Sequence, residues 1–205
     1  MINKRKGVFD DDDDDDDDAV IAFLLTPPAC RTADDGCPTS YCTLPLSLDG
    51  VVVGMLTVCT YRCGAATISR GSAEGTITWK RPDGTGALLC SALLAGGSII
   101  ALGGEDEGIS LLVIDAFALN DKTGGGLRLV GGQEVTLYGH TSFITDLSSA
   151  GSLPLTATRG SGPSHSAGRP HTLLSCSLDM KVMLWAVYPG DDIASSSVLQ
   201  VWSRP

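Results

Sequence analysis

Aromatic side chains are scarce in this chain, at 5% of residues, with three Trp, four Tyr and four Phe. Basic residues are also few: 14 Lys and Arg stand against 24 Asp and Glu, for a formal charge of −10. That balance excludes a basic surface stripe for direct nucleic-acid binding, so any contact with RNA is expected to be indirect. Long apolar runs are missing. Ala19–Leu25 follows an acidic run instead of a basic leader and is stopped by Pro27-Pro28, and Val51–Cys59 has the length of a strand. Neither could span a bilayer or act as a secretory signal, and a soluble intracellular protein is expected.

Catalytic signatures are absent as well. No phosphate-cradling Gly-rich loop ending in Lys-Ser or Lys-Thr, no Gly-x-Ser-x-Gly elbow, no His-Glu-x-x-His and no dinucleotide fingerprint occurs. The seven cysteines are odd in number and lack the close pairs of a zinc site. Cys30, Cys37, Cys42, Cys59 and Cys63 therefore read as reduced structural thiols, and Cys176 reads as a small hydrophobe on an apolar strand. His165 and His171 have no second ligand pair beside them. No metal and no cofactor is expected.

What the chain has is glycine, at 25 residues, within a composition that is 43% hydrophobic. This suits many short strands joined by turns. The strongest pattern is Gly139-His140 followed, after a loop, by Leu173–Trp185. Leu173, Ser175 and Ser177 alternate with Leu174, Cys176 and Leu178, as in a strand buried on both sides; Asp179-Met180-Lys181 offers a tight turn, and Val182–Trp185 returns as the next strand. A His at the entry, a Ser on one strand, an Asp in the turn and a Trp on the next strand can form a buried hydrogen-bonded chain. The residues are His140, Ser175 or Ser177, Asp179 and Trp185. The same His, Ser and Asp superficially name a hydrolase triad, but beside a buried Trp the architectural reading is preferred.

Two weaker copies lie upstream. In Gly103–Asp115, Asp106 and Leu112 have the separation of Asp179 and Trp185, so Leu112 stands where the Trp would be. In Gly71–Lys80, Glu74 is read in place of the Asp, and Trp79 falls one position early. Repeated four-stranded units of this kind imply sheets stacked on one another. Residues 120–133 and 148–171, rich in Gly, Ser, Pro and Thr, read as loops, the longer one disordered. Ser197–Trp202 reads as the opening of a further unit. The unbroken run Asp10–Asp18 repels itself and is expected to be a disordered acidic tail, read as a solvated spacer over a contact for basic proteins.

These residues resemble the WD-repeat (WD40) β-propeller family, in which His140, Ser175 or Ser177, Asp179 and Trp185 would be the structural tetrad. The resemblance implies an all-β fold, a partial WD40-type propeller with about three recognisable four-stranded blades and a disordered acidic N-terminus. Its organisation would be a tail over 1–18, a low-complexity segment or outer strand over 19–48, and the partial propeller over 49–205. Half a ring would leave two raw sheet edges, and a truncated product is expected over closure by a partner or a second copy. Leu137–Leu147, with its Ile144-Thr145-Asp146-Leu147 segment, and the order of the blades over about 70–200 further resemble the WD-repeat subunit of the pre-60S rRNA-processing complex. That implies a non-enzymatic nuclear scaffold for protein–protein assembly in large ribosomal subunit biogenesis and rRNA processing. The alternatives are a WD-repeat adaptor in ubiquitin ligation, trafficking or cilia, with the cytoplasm as the alternative location, and a propeller-based hydrolase.

Overall fold

The computed structural model describes residues 36–48, 51–81, 86–118, 126–152 and 169–203. Among the described residues twelve strands form three four-stranded antiparallel sheets, each built from four strands consecutive in sequence. The first holds β1 (Pro38–Leu48), β2 (Val51–Tyr61), β3 (Ala65–Arg70) and β4 (Ser72–Lys80). The second holds β5 (Leu88–Leu94), β6 (Ile99–Gly104), β7 (Gly108–Ala118) and β8 (Gly126–Tyr138). The third holds β9 (Ile144–Ser152), β10 (His171–Ser177), β11 (Lys181–Val187) and β12 (Ser197–Ser203). The first strands pack on one another in the order β1, β5, β9, so the sheets succeed each other like blades around an axis. This is an all-β fold and a partial β-propeller of three blades.

Alternation of side chains along each strand gives a sheet two faces, and stacking removes the apolar ones from water. One core lies between the first two sheets and joins Leu56, Val58, Ala66, Ile68 and Trp79 to Leu88, Ile100, Leu102, Leu112 and Ile114. The other lies between the second and third and joins Ile99, Ala101, Ile109, Leu111 and Leu137 to Ile144, Leu173, Met183, Trp185 and Val187. The middle sheet is thus buried on both faces. At the β2–β3 turn Gly64 takes a positive φ of 73°, and a Cβ there would come within 2.8 Å of the Gly86 carbonyl oxygen in the next connection. Only glycine serves both demands.

The register between neighbouring strands makes the three sheets comparable residue by residue. Leu56 pairs with Arg70, Leu102 with Ser110 and Ser175 with Met183. The second-to-third-strand turns are therefore centred on Cys63, Asp106 and Asp179. The Asp106 copy stands as the sequence predicts. The Gly71–Lys80 copy does not: Gly71 turns β3 into β4, one strand later, so Cys63 and Ser69 occupy the positions assigned to Glu74 and Trp79.

Four further expectations are corrected. Segment 19–48 contributes β1, the first strand of a blade packed against β5, and not an outer strand; its earlier part and the Asp10–Asp18 run lie outside the described residues. Strand β8 runs through much of the 120–133 loop, because Leu127, Leu129, Val135 and Leu137 keep an apolar alternation and the strand pairs with β7. Strand β9 likewise takes residues 148–152 from the loop placed at 148–171, of which 153–168 lie outside the described residues. Ser197–Trp202 opens no new blade: it pairs with β11 and completes the third sheet.

Candidate functional site

The sequence motif of the third blade comes together at one point. His140 sits in the connection from β8 to β9, Ser175 on β10, Asp179 in the β10–β11 turn and Trp185 on β11. Pairing of Ser175 with Met183 and of Leu173 with Trp185 sets the serine and the indole on the same face. His140 Nδ1 lies 3.0 Å from Asp179 Oδ2, His140 Nε2 lies 2.7 Å from Ser175 Oγ, and Trp185 Nε1–H donates to Ser175 Oγ over 2.8 Å. Indole nitrogen can only donate. One proton order with a neutral imidazole then satisfies every atom: the serine hydroxyl donates to Nε2, and Nδ1–H donates to the carboxylate.

The turn is fastened to this chain from both sides. Thr141 N–H donates to Asp179 Oδ2 over 3.0 Å, and Lys181 N–H donates to Oδ1 over 2.9 Å. Ser177, the alternative serine, is not a member: its hydroxyl donates to the Ser142 carbonyl and accepts from Asp179 N–H, bracing the turn from outside. Leu178 N–H reaches the Phe143 carbonyl, and Met180 closes the turn in the left-handed region at φ 63°.

Burial alone would raise the Asp179 carboxyl, but the donors from Thr141, His140 and Lys181 outweigh it and hold its pKa at about 2. The folded-state value is thus below the ordinary carboxylate value of 3.8. The stabilisation is fully present above about pH 4 and is lost as pH falls through about 2. Asp179→Asn is therefore expected to flatten the drop in urea-unfolding free energy between pH 4 and 2. An unchanged acid limb would show that the carboxylate is not held in this way.

In the second blade the same turn position is met differently. Arg81, immediately after β4, places its guanidinium 2.9 Å from Asp106, as His140 from the next connection meets Asp179. Glu105 accepts from Ala87 N–H over 3.0 Å, and Glu105 N–H returns a bond to the Ala87 carbonyl. Burial raises the Asp106 carboxyl, and the Arg81 charge offsets this only in part. An isolated sequence gives no signal for Arg81, because the residue is recognisable only once the blades are aligned.

A triad-like order of Asp, His and Ser invites a catalytic reading, but Ser175 is 0% exposed and receives the Trp185 indole N–H. No substrate atom can reach that oxygen without displacing the core. Among the described residues no three His, Cys, Asp or Glu stand together as a metal site, and no helix is long and apolar enough to cross a membrane. Cys30 and His165 lie outside the described residues. Cys59 and Cys90 are buried, Cys37 is exposed, and Cys42, Cys63 and Cys176 are half-buried. Burial and the nearby Asp146 charge push the Cys90 thiol up to about 12, which leaves it inert as a nucleophile.

No protein-family model matches the chain, and no curated protein matches it. Solved structures share its course at low identity. A structure of U3-55K superposes with a TM-score of 0.48 at 14% identity, covering 82% of this chain and 39% of that one. The WD40 repeats of RRP9 give 0.45 at 15% identity, covering 73% and 35%. The WD40 β-propeller domain of Doa1 gives 0.40 at 14% identity, covering 70% and 36%. The chain thus spans well under half the length of each. Its own sheets and their register define the class: an all-β fold and a partial β-propeller.

Proposed function

We propose that this chain is a non-catalytic WD-repeat scaffold that assembles protein subunits into a larger complex. The observation that carries this reading is the burial of the triad-like set: His140, Ser175 and Asp179 are committed to each other and to Trp185 inside the sheet stack. The four residues act as an architectural tetrad that fixes the entry loop, the turn and the two middle strands. Apolar side chains remain in water at the end of the third blade, where Phe143, Leu178 and Met180 are exposed, and at the end of β8, where Tyr138 is exposed. Such groups supply the few anchors from which protein interfaces draw most of their affinity.

The process assigned is large ribosomal subunit biogenesis and rRNA processing in the nucleus. It is supported by the resemblance of Leu137–Leu147, in which Ile144 and Leu147 are buried while Thr145 and Asp146 face solvent and remain available to a partner. Affinity purification of the full chain followed by mass spectrometry tests it. Co-purification of pre-60S particle proteins is the expected outcome. Recovery of ubiquitin-ligase, trafficking or ciliary proteins in their place would move the scaffold to another pathway.

A further inference from the structure

Connections gather at one end of the strands, and there the second and third blades form a continuous surface. The β6–β7 turn carries Glu105, Asp106 and Glu107, β8 ends on Tyr138, Phe143 precedes β9, and the β10–β11 turn carries Leu178 and Met180. Packing joins these pieces. Gly108, next to Glu107, pairs with Tyr138, and a Cβ there would come within 3.3 Å of the tyrosine ring. A Cβ at Gly103 would stand 2.7 Å from the Ile144 side chain, so the start of β9 lies against the end of β6, close to Glu105. Leu178 N–H ties the last turn to the Phe143 carbonyl over 3.0 Å. Stacking covers the faces of a sheet and not the ends of its strands, so this surface is independent of which sheets lie beyond the three.

This surface is apolar where turns are ordinarily polar. Tyr138, Phe143, Leu178 and Met180 are between 42% and 75% exposed. A single exposed apolar side chain is ordinary, but four on one set of connections mark a contact surface. The sequence alternation predicts a β10 buried on both sides; only its Leu173 and Ser175 side is buried, and Leu178, the last apolar residue of the pattern, stands in water. Met180 is also strained: its φ of 63° lies in a region that only Gly, and Asn or Asp, enter readily. With 71% of its side chain exposed, little packing within the chain offsets that strain. The charge at this end is one-sided. Glu107 is exposed, and Glu105 uses one carboxylate oxygen on Ala87 N–H. The neighbouring cations are placed elsewhere: Arg81 is buried against Asp106, and Lys181 lines the outward face of the third sheet with Val182 and Trp202.

We infer that this end of the second and third blades is a docking site for a cationic segment of another protein, one that carries Lys or Arg next to apolar side chains. The cation is received by the Glu105 and Glu107 carboxylates and the face of the Tyr138 ring, since carboxylate charge and ring quadrupole both favour it. The apolar neighbours cover Phe143, Leu178 and Met180, which supply the anchors. Nucleic acid is repelled by the same carboxylates. A second copy, at formal charge −10, brings net repulsion as well.

The inference rests on the scaffold reading and names the chemistry of its partner. The probe is a phage-displayed library of random twelve-residue peptides selected on the immobilised full chain; enriched peptides are synthesised and their binding is followed by fluorescence anisotropy. They are expected to set Lys or Arg beside Leu, Ile or Phe, and their Kd should rise at least tenfold in Met180→Gly and in Glu107→Lys. Met180→Gly removes strain together with the contact, so its Tm should be no lower than that of the parent, and a merely structural role would leave peptide binding unmoved. Enrichment of acidic or uncharged peptides, or of basic peptides insensitive to both substitutions, as attraction to Asp10–Asp18 would be, overturns the inference. So does the absence of enrichment, or self-association of the parent in sedimentation that both substitutions abolish. If parent and double variant co-purify the same complex, this face is overturned and the scaffold stands. If neither co-purifies any protein while the peptides still bind, the scaffold reading alone falls.

Discussion

Trp185→Ala is expected to lower the unfolding free energy by about 3–5 kcal/mol, the range for truncating a large buried aromatic. The indole is almost wholly buried, among Ile144, Leu173, Met183 and Val187 of its own sheet and the covered face of the second. Its removal opens a void at the junction of two sheets and takes away the N–H that Ser175 accepts. Close packing leaves the surroundings little freedom to collapse: even a Cβ at Gly139 would stand 3.1 Å from the ring. At this chain length the loss corresponds to a fall in Tm on the order of 10 °C. Trp185→Phe retains most of the volume but not the donor and should fall between parent and alanine variant. Thermal melts followed by far-ultraviolet dichroism check both. A Tm for the alanine variant within a degree or two of the parent would contradict the burial of this side chain.

His140→Ala should cost about 2–4 kcal/mol for a different reason. The imidazole is the one link between the Asp179 carboxylate and the Ser175 hydroxyl, and deleting it strands polar groups in a site without solvent to replace it. Asp179 keeps its bonds from Thr141 and Lys181, so the carboxylate is weakened in its holding but not abandoned. Because serine joins the histidine to the indole, His140→Ala and Trp185→Ala should be less than additive in a double-mutant cycle. Urea unfolding of the two single variants and the double variant measures the coupling; strict additivity would mean that the chain of bonds is not a unit. The same variant addresses the hydrolase alternative. Model esters and phosphoanhydrides should be hydrolysed no faster by the parent than by His140→Ala, and an activity lost in a still-folded variant would return the enzyme reading.

The third blade was legible because its chemistry is spelled out at fixed separations: a buried hydrogen-bonded chain needs particular residue types, and particular types leave a trace in sequence. The second was legible through Asp106 and the apolar run after it. The first was misread by one strand. Cys63 and Ser69 at its turn and third strand carry no recognisable chemistry, while Trp79 imitates the signal from the fourth strand, where its indole serves the contact with the next sheet. Strand β8 was hidden by its glycines, since composition reports flexibility and pairing with β7 decides against it. Arg81 and Ser177 show the same limit at the level of single residues. The partner of Asp106 comes from a connection 25 positions upstream, and the choice between Ser175 and Ser177 depends on which face the strand turns inward.

The two corresponding turn acids bring opposite slopes to the acid titration of one molecule. Asp106, raised by burial beyond what Arg81 restores, takes up its proton early on the folded side, and that uptake favours the folded state as acidity increases. Asp179 resists protonation and forfeits its contribution only under stronger acid. Mild acidification therefore draws first on the gain at Asp106, and the loss at Asp179 follows below about pH 4. Past that point the third blade's carboxylate yields unopposed, and the acid weakness of the molecule lies between about pH 4 and 2, at the third blade and not at the second.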